Sequence, residues 1–213
     1  MSEARSRHLT FGNISVKRDN HHSMPSPSDR GRGVRGHREP RARVVRELRR
    51  VNRALLVLGE CNQALVRSEA EPALLEDVCR ILVDHGGYRM AWVGFAETEP
   101  EKVVRPVAKA GDDDGYLDGA RIGWGDDERG HGPSGEAIRS GRTQVNRDFR
   151  SNPSMAPWRA EALRRGFESS VAIPFRGEGA PAGVLCVYAA EPDAFDLSEL
   201  RLLEELAADL AFG

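Results

Sequence analysis

The stretch 127-DERGHGPSGEAIRSGR-142 decides between two architectures. Gly130, Gly132 and Gly135 match G-x-G-x-x-G, the spacing that cradles pyrophosphate in dinucleotide-binding folds. That reading needs a strand directly before the glycines, a full-length helix after them and an acidic residue about 20 positions on. Here DDER precedes Gly130, Gly141 closes the following helix after barely two turns, and Asp148 comes too soon. No β-α-β repeat surrounds the motif. The dinucleotide reading fails, and a parallel, doubly wound sheet fails with it. Locally, Gly130 and Gly132 permit positive φ. A short helix opens at Pro133 or Ser134, and its first N–H groups face outward unless Ser134 caps them.

Working outward, the remaining segments read as hairpins and terminal helices. The run 70-AEPALLEDVCRILVDHGG-87 begins with acidic residues and a proline and ends on a glycine pair, the start and stop signals of a helix. Two strands follow, 88-YRMAWVGFAE-97 and 102-KVVRPVAKAG-111, joined by the turn TEPE. Residues 112–132 form a loop-rich middle. After the short helix Pro133–Ser140, Gln144–Asn146 make a brief strand and 156-APWRAEALRRG-166 a helix ending on Gly166. Two strong strands, 168-ESSVAIPFRG-177 and 181-PAGVLCVYAAE-191, flank the turn EGA. The chain closes on 195-FDLSELRLLEELAADLAFG-213, a helix with an acidic cap and Leu203, Leu206 and Leu210 on one face. Hairpin-linked strands with helices at both ends predict an α+β fold. Its central antiparallel sheet has five to six strands, the terminal helices pack on one face, and short helices and loops cover a pocket on the other.

Ahead of this body, 41-RARVVRELRRVNRALLVLGECNQALVRS-68 carries Val44, Leu48, Val51, Leu55, Leu58, Asn62 and Leu65 at alternating spacings of four and three. This is a heptad seam with a polar Asn62 in an inner position, which predicts a homodimer through helix 44–68. Ala54, Leu56 and Cys61 widen the apolar face, so an amphipathic helix lying on the body is the competing account. Residues 1–40 hold four of the six histidines with many Ser, Gly, Pro and Arg, and read as a disordered tail. The organisation expected is a tail over 1–40, a signalling helix over 41–69 and a domain over 70–213.

The net charge of −2 hides an asymmetry: residues 1–53 carry +9 and residues 54–213 carry −11. The basic arm has scattered arginines and only Phe11 for base stacking, so nucleic acid is not expected as a partner. No apolar run approaches the roughly 20 residues that span a bilayer, and the N-terminus lacks the apolar centre of a signal peptide. A cytoplasmic protein without membrane contact is expected. Cys61, Cys79 and Cys186 form no CxxC pair, which argues against a zinc knuckle or disulfide framework. DDDG at 112–115 lacks the calcium-loop pattern, since Ala110 and Arg121 stand where oxygen ligands belong.

Six segments in order carry a resemblance: GYRMAWVGFAE (87–97), GHGPSGEAIRSGR (130–142), NRDF (146–149), NPSMAPWRAEALRRGFESSVAIPF (152–175), GVLCVYAAEPDAF (183–195) and SELRLLEELAADLAF (198–212). From about Ala73 to Phe212 the chain resembles a GAF domain of the kind found in bacterial histidine kinases and cyclic-di-GMP enzymes. The resemblance implies that the glycine loop rims a sensory pocket. It also implies a dimer whose flanking helices pass a binding event to an output domain or to a partner signalling protein. The sequence ends where a member of that family would continue into such a domain.

The ligand is unknown. A bilin would need a pocket cysteine, and the three cysteines fall on helices or a strand. Haem would need an axial histidine, and His131 is the sole candidate outside the tail and a helix end. The Asn-Lys-x-x-x-Phe-type signature of cyclic-nucleotide binders is missing. A GAF-type free methionine sulfoxide reductase would need redox cysteines in loops over the pocket, and no Ser-His-Asp or Cys-His pairing is visible, so no catalysis and no metal are expected. For the pocket, Trp92 and Tyr188 are expected as aromatic walls and Ser134 and Asp148 as polar contacts. Trp158 and Arg165 belong to the covering helix and Ser170 to the strand beneath. Plainer roles compete: Trp158 as a core staple, Arg165 as a helix C-terminal charge, Asp148 as a turn former.

Overall fold

The computed structural model describes residues 38–67, 70–98, 101–176 and 182–211. The tail over 1–37, the EGA turn and part of the TEPE turn lie outside the described residues. Helix α1 runs Arg38–Arg67 and α2 Glu71–Asp84. Strands β1 (Met90–Glu97) and β2 (Val103–Gly111) precede α3 (Tyr116–Ala120), α4 (Pro133–Ser140) and β3 (Gln144–Asn146). A 3-10 turn at Pro153–Met155 and α5 (Arg159–Arg164) lead into β4 (Ser169–Arg176), β5 (Ala182–Ala189) and α6 (Leu197–Asp209). The strands form one five-stranded sheet in the order β2-β1-β5-β4-β3, antiparallel at every pairing. The expected α+β architecture is the one observed.

Strand alternation divides the core into two layers. On one face Ala91, Val93, Val171, Ile173, Leu185 and Val187 pack with Leu75, Val78 and Leu82 of α2 and Leu203 and Leu206 of α6. On the other face Met90, Trp92, Ala172, Val184, Cys186 and Tyr188 pack with residues of α3, α4 and α5. Asp196 caps α6 by accepting from the backbone N–H groups of Ser198 and Glu199. Tyr88 departs from the alternation because it precedes β1. It stacks on Phe195 in the helix layer, and its hydroxyl donates to Glu199 at 2.8 Å. Glu199 also accepts from Arg53 of α1, so one buried carboxylate ties α1, α6 and the entry to β1 together.

The N-terminal part of the heptad seam is not the stripe through which α1 meets the body, whereas Leu58 and Leu65 are half-buried and Leu65 packs against the helix layer. Val57, Cys61 and Ala64 are buried in the helix layer. Val44, Leu48, Val51 and Leu55 stay 47–68% exposed, and Asn62 is exposed as well. The competing account, an amphipathic helix lying on the body, describes the face that carries Val57, Cys61 and Ala64.

Both edges of the sheet are interrupted. Pro106 lies in the outermost strand β2, between the charged Arg105 and Lys109 and opposite an irregularity at Val93/Gly94. At the other edge β3 pairs only with Ser170–Ala172, and Pro174 follows on the stretch of β4 that β3 does not cover, paired with Val184 of β5 on its inner side. Each proline removes one donor from its ladder.

The motif glycines serve space rather than backbone freedom. None of Gly130, Gly132 and Gly135 has positive φ, contrary to the conformational reading of the sequence. A Cβ on residue 130 would sit 2.0 Å from the Gly125 carbonyl oxygen, and one on residue 135 would sit 2.3 and 2.4 Å from those of Gly130 and Gly123. Gly132 lies under the Trp158 ring, 2.5 Å from where its Cβ would be. Arg139 clasps the same loop by donating to the carbonyls of Gly125 and Gly130, both at 2.6 Å. Gly130→Ala is expected to cost about 3 kcal/mol through forced backbone displacement. Gly59→Ala, in the open on α1, should add about 0.5–1 kcal/mol through helix propensity. Urea unfolding of both variants checks this, and a neutral Gly130→Ala would refute the packing account.

Candidate ligand cavity

Between the sheet and the short helices lies a partly open cavity of about 20 Å³, room for about one water molecule. Ser170 and Ala172 of β4 and Cys186 and Tyr188 of β5 form its floor, because these four share the sheet face turned away from the terminal helices. Gly132, Pro133 and Ser134 bring the first turn of α4 to one side. Tyr116, Met155 and Trp158 close the others, and Arg129 reaches the rim.

The covering layer is pinned at one carbonyl. Ala120, at the end of α3, accepts from Trp158 Nε1 at 2.8 Å and from Arg129 Nη1 at 3.3 Å. Tyr188 is the centre of an aromatic cluster, with Phe167 at 5.0 Å, Tyr116 at 5.8 Å and Phe149 at 6.1 Å between ring centroids. Edge-to-face and offset contacts of this kind stabilise aromatic pairs beyond their buried area.

The seven residues expected at the pocket divide into two groups. Ser134, Trp158, Ser170 and Tyr188 line the cavity. Trp92 pairs across the strands with Cys186 and lies fully buried in the same layer, without lining the cavity. Arg165 sits behind the wall. Its Nε donates to the Asp113 carbonyl at 3.0 Å, its Nη2 to that of Asp114 at 2.6 Å, and its guanidinium lies 5.5 Å from the Tyr116 ring centroid. Asp148 stands at the surface, where its carboxylate accepts from the Arg150 N–H at 2.8 Å and the Ser151 hydroxyl at 2.9 Å. Trp92, Arg165 and Asp148 are thus corrected from cavity contacts to a core aromatic, a wall support and a turn former. Ser134 does not cap α4. The cap is Gly132, which has no side chain to offer, and the Ser134 hydroxyl lies 3.3 Å from Cys186 Sγ.

Sequence reasoning missed Tyr116, Met155, Arg129 and Cys186 as lining residues. Cys186 was within reach, since it alternates with Tyr188 on β5 and must share its face. Tyr116 gave no periodic signal, because α3 is five residues long and entered through a left-handed Gly115.

Burial pushes the thiols of Cys61, Cys79 and Cys186 up from 9.0 to about 12; for Cys186 the Ser134 hydroxyl partly offsets this. Burial likewise drives the Tyr188 and Tyr116 hydroxyls well above the ordinary phenol range. Such thiols are protonated at neutral pH and poor nucleophiles. A disulfide-forming thiol reagent is expected to leave the native protein unlabelled in mildly alkaline buffer and to label all three cysteines in urea. The raised values also set a pH trend. The stability contributed by keeping these thiols protonated is intact below about 9 and lost as pH rises toward about 12. Rapid labelling of Cys186 in the native state would overturn this description.

Among the described residues no group of His, Cys, Asp and Glu could hold a metal ion, and no helix is long and apolar enough to cross a membrane. The family model for the GAF domain matches residues 68–213. The chain belongs to the GAF domain family. No curated protein sequence matches it. Solved structures share its fold at low identity. The free methionine-R-sulfoxide reductase from Neisseria meningitidis, in complex with its substrate, is 21% identical, covers 75% of this chain and 88% of its own, and superposes with a TM-score of 0.60. The GAF domain of a phosphoenolpyruvate-protein phosphotransferase from Coxiella burnetii is 17% identical, with 75% and 92% covered and a TM-score of 0.61. The A. aeolicus nlh2 GAF domain in an inactive state is 16% identical, with 75% and 94% covered and a TM-score of 0.56. These likenesses correct the expectation that the chain is not an enzyme. The same fold carries reductases, so absence of catalysis does not follow from it, and the enzymatic status of this chain is open.

Proposed function

We propose that this chain is a small-molecule-sensing regulatory module of a bacterial signal-transduction protein acting in the cytoplasm, of the kind attached to two-component histidine kinases or cyclic-di-GMP enzymes. The observation that carries the reading is the cavity itself. It lies on the sheet face opposite the terminal helices, with Ser134, Ser170, Tyr116 and Tyr188 among its walls. Binding there acts on α1 and α6 through the shared sheet, within a homodimer formed by the exposed seam Val44, Leu48, Val51 and Leu55, and so on an output domain or partner signalling protein. A two-state arrangement of those helices supplies the coupling such a module requires.

Mass spectrometry of the compounds released on denaturing the purified protein tests the reading. A stoichiometric small molecule supports it. A clean protein whose melting temperature no metabolite raises would leave a ligand-free dimerisation module instead. For the dimer, Leu48→Glu combined with Leu55→Glu should convert it to monomer without altering the fold, as read by light scattering and circular dichroism.

A second reading, a GAF-type free methionine sulfoxide reductase, draws on one observation: Cys186 is a thiol in the cavity wall. It predicts turnover of free methionine-R-sulfoxide that Cys186→Ser abolishes. Turnover unchanged in that variant would remove Cys186 from the chemistry.

A further inference from the structure

We propose that the ligand of the cavity carries a carboxylate, taken up by the Ser170 hydroxyl, the first turn of α4 and the Arg129 guanidinium; this rests on reading the cavity as a small-molecule site. The charge inventory is one-sided. The lining includes the hydroxyls of Ser134, Ser170, Tyr116 and Tyr188 and the thiol of Cys186, with the Arg129 guanidinium at the rim, and no Asp, Glu, Asn or Gln side chain. Ser170 is 5% exposed, faces the cavity in phase with Ala172, and its hydroxyl has no hydrogen-bond partner among the described residues. A nearly buried hydroxyl without a partner favours an incoming hydrogen-bonding group, and the charge around it decides which.

The field has the same sign. The first turn of α4 enters the wall uncapped by any side chain, which places the positive end of a helix dipole against the cavity. Hydroxyl donors with one cation match a carboxylate oxygen pair. The α-ammonium of an amino acid would find no counter-charge in the lining. Small 2-oxo acids and short aliphatic acids suit the remaining walls, where Met155, Ala172 and Ile122 are apolar. Such a molecule exceeds the cavity volume, so its entry shifts the wall pinned at the Ala120 carbonyl by Trp158 and Arg129.

The test is titration of the full chain with acetate, propionate and pyruvate, and separately with acetamide, propionamide and pyruvamide, at matched ionic strength. The readout is the indole N–H resonances of Trp92 and Trp158, assigned with Trp→Phe variants. Saturable shifts with the acids and weaker ones with the amides are expected. Ser170→Ala should weaken acid binding about tenfold or more, as loss of a hydrogen bond to a charged group does. Arg129→Gln, which removes the one cation of the lining while Trp158 still holds the Ala120 carbonyl, should weaken acid binding more than amide binding. Amides binding as well as acids would overturn the carboxylate assignment and leave the small-molecule reading standing. Silence from every probe would overturn the assignment, with the released-compound analysis deciding the broader reading on its own.

Discussion

The carbonyl oxygen of Gly125 occupies the place where any side chain at position 130 would begin, and much of the cavity side depends on that contact. Because residues 123, 125, 130 and 135 meet backbone to backbone, the loop folds flat against the start of α4. That fixes where the first turn of the helix points, and hence where Ser134 meets Cys186 on β5. Arg139 holds the arrangement from the far end of the same helix. One side of the cavity is thus set by an absence of side chains, the other by the large rings of Tyr116 and Trp158.

The sheet serves both layers as a common wall. Every second residue of β4 and β5 faces the cavity layer, and those between face the terminal helices, so Val171 and Val187 lie in the helix layer directly beside Ser170, Ala172, Cys186 and Tyr188. A close-packed interior transmits small displacements because it has few voids to absorb them. On the helix side the Glu199 carboxylate joins Arg53 and Tyr88, so α1 is attached to α6 by charge as well as by the burial of Val57, Cys61 and Ala64. The body therefore holds α1 through two kinds of contact.

The fold was legible because its signals are periodic and local. Aromatic and apolar runs bounded by turn residues marked β1, β4 and β5, and glycines with positive φ at 141 and 166 end α4 and α5 where the sequence placed those stops. The short helix over Pro133–Ser140 was readable to the residue. The cavity was legible only where strands carry it. Tyr188 and Ser170 follow from alternation, whereas Trp92 shares their face but is covered by its neighbours, a matter of packing depth that no periodicity encodes. Asp148 and Arg165 were polar residues near the right segments whose hydrogen bonds are spent on the backbone around them. The reason for the motif glycines was hidden too, since contact between loop carbonyls distant in the chain leaves no pattern beyond the glycines themselves.

The prolines at the two sheet borders limit how this domain can meet other proteins. Strand addition needs an uninterrupted row of amides and carbonyls along a border. On β2 that row is broken at Pro106 and guarded by Arg105 and Lys109; beyond β3 it is broken at Pro174. A newly made chain, crowded among copies of itself, thus has little border on which to zip into wider sheets. Recognition of the finished domain is left to its side chains, the part of the molecule that can change without disturbing the ladder beneath.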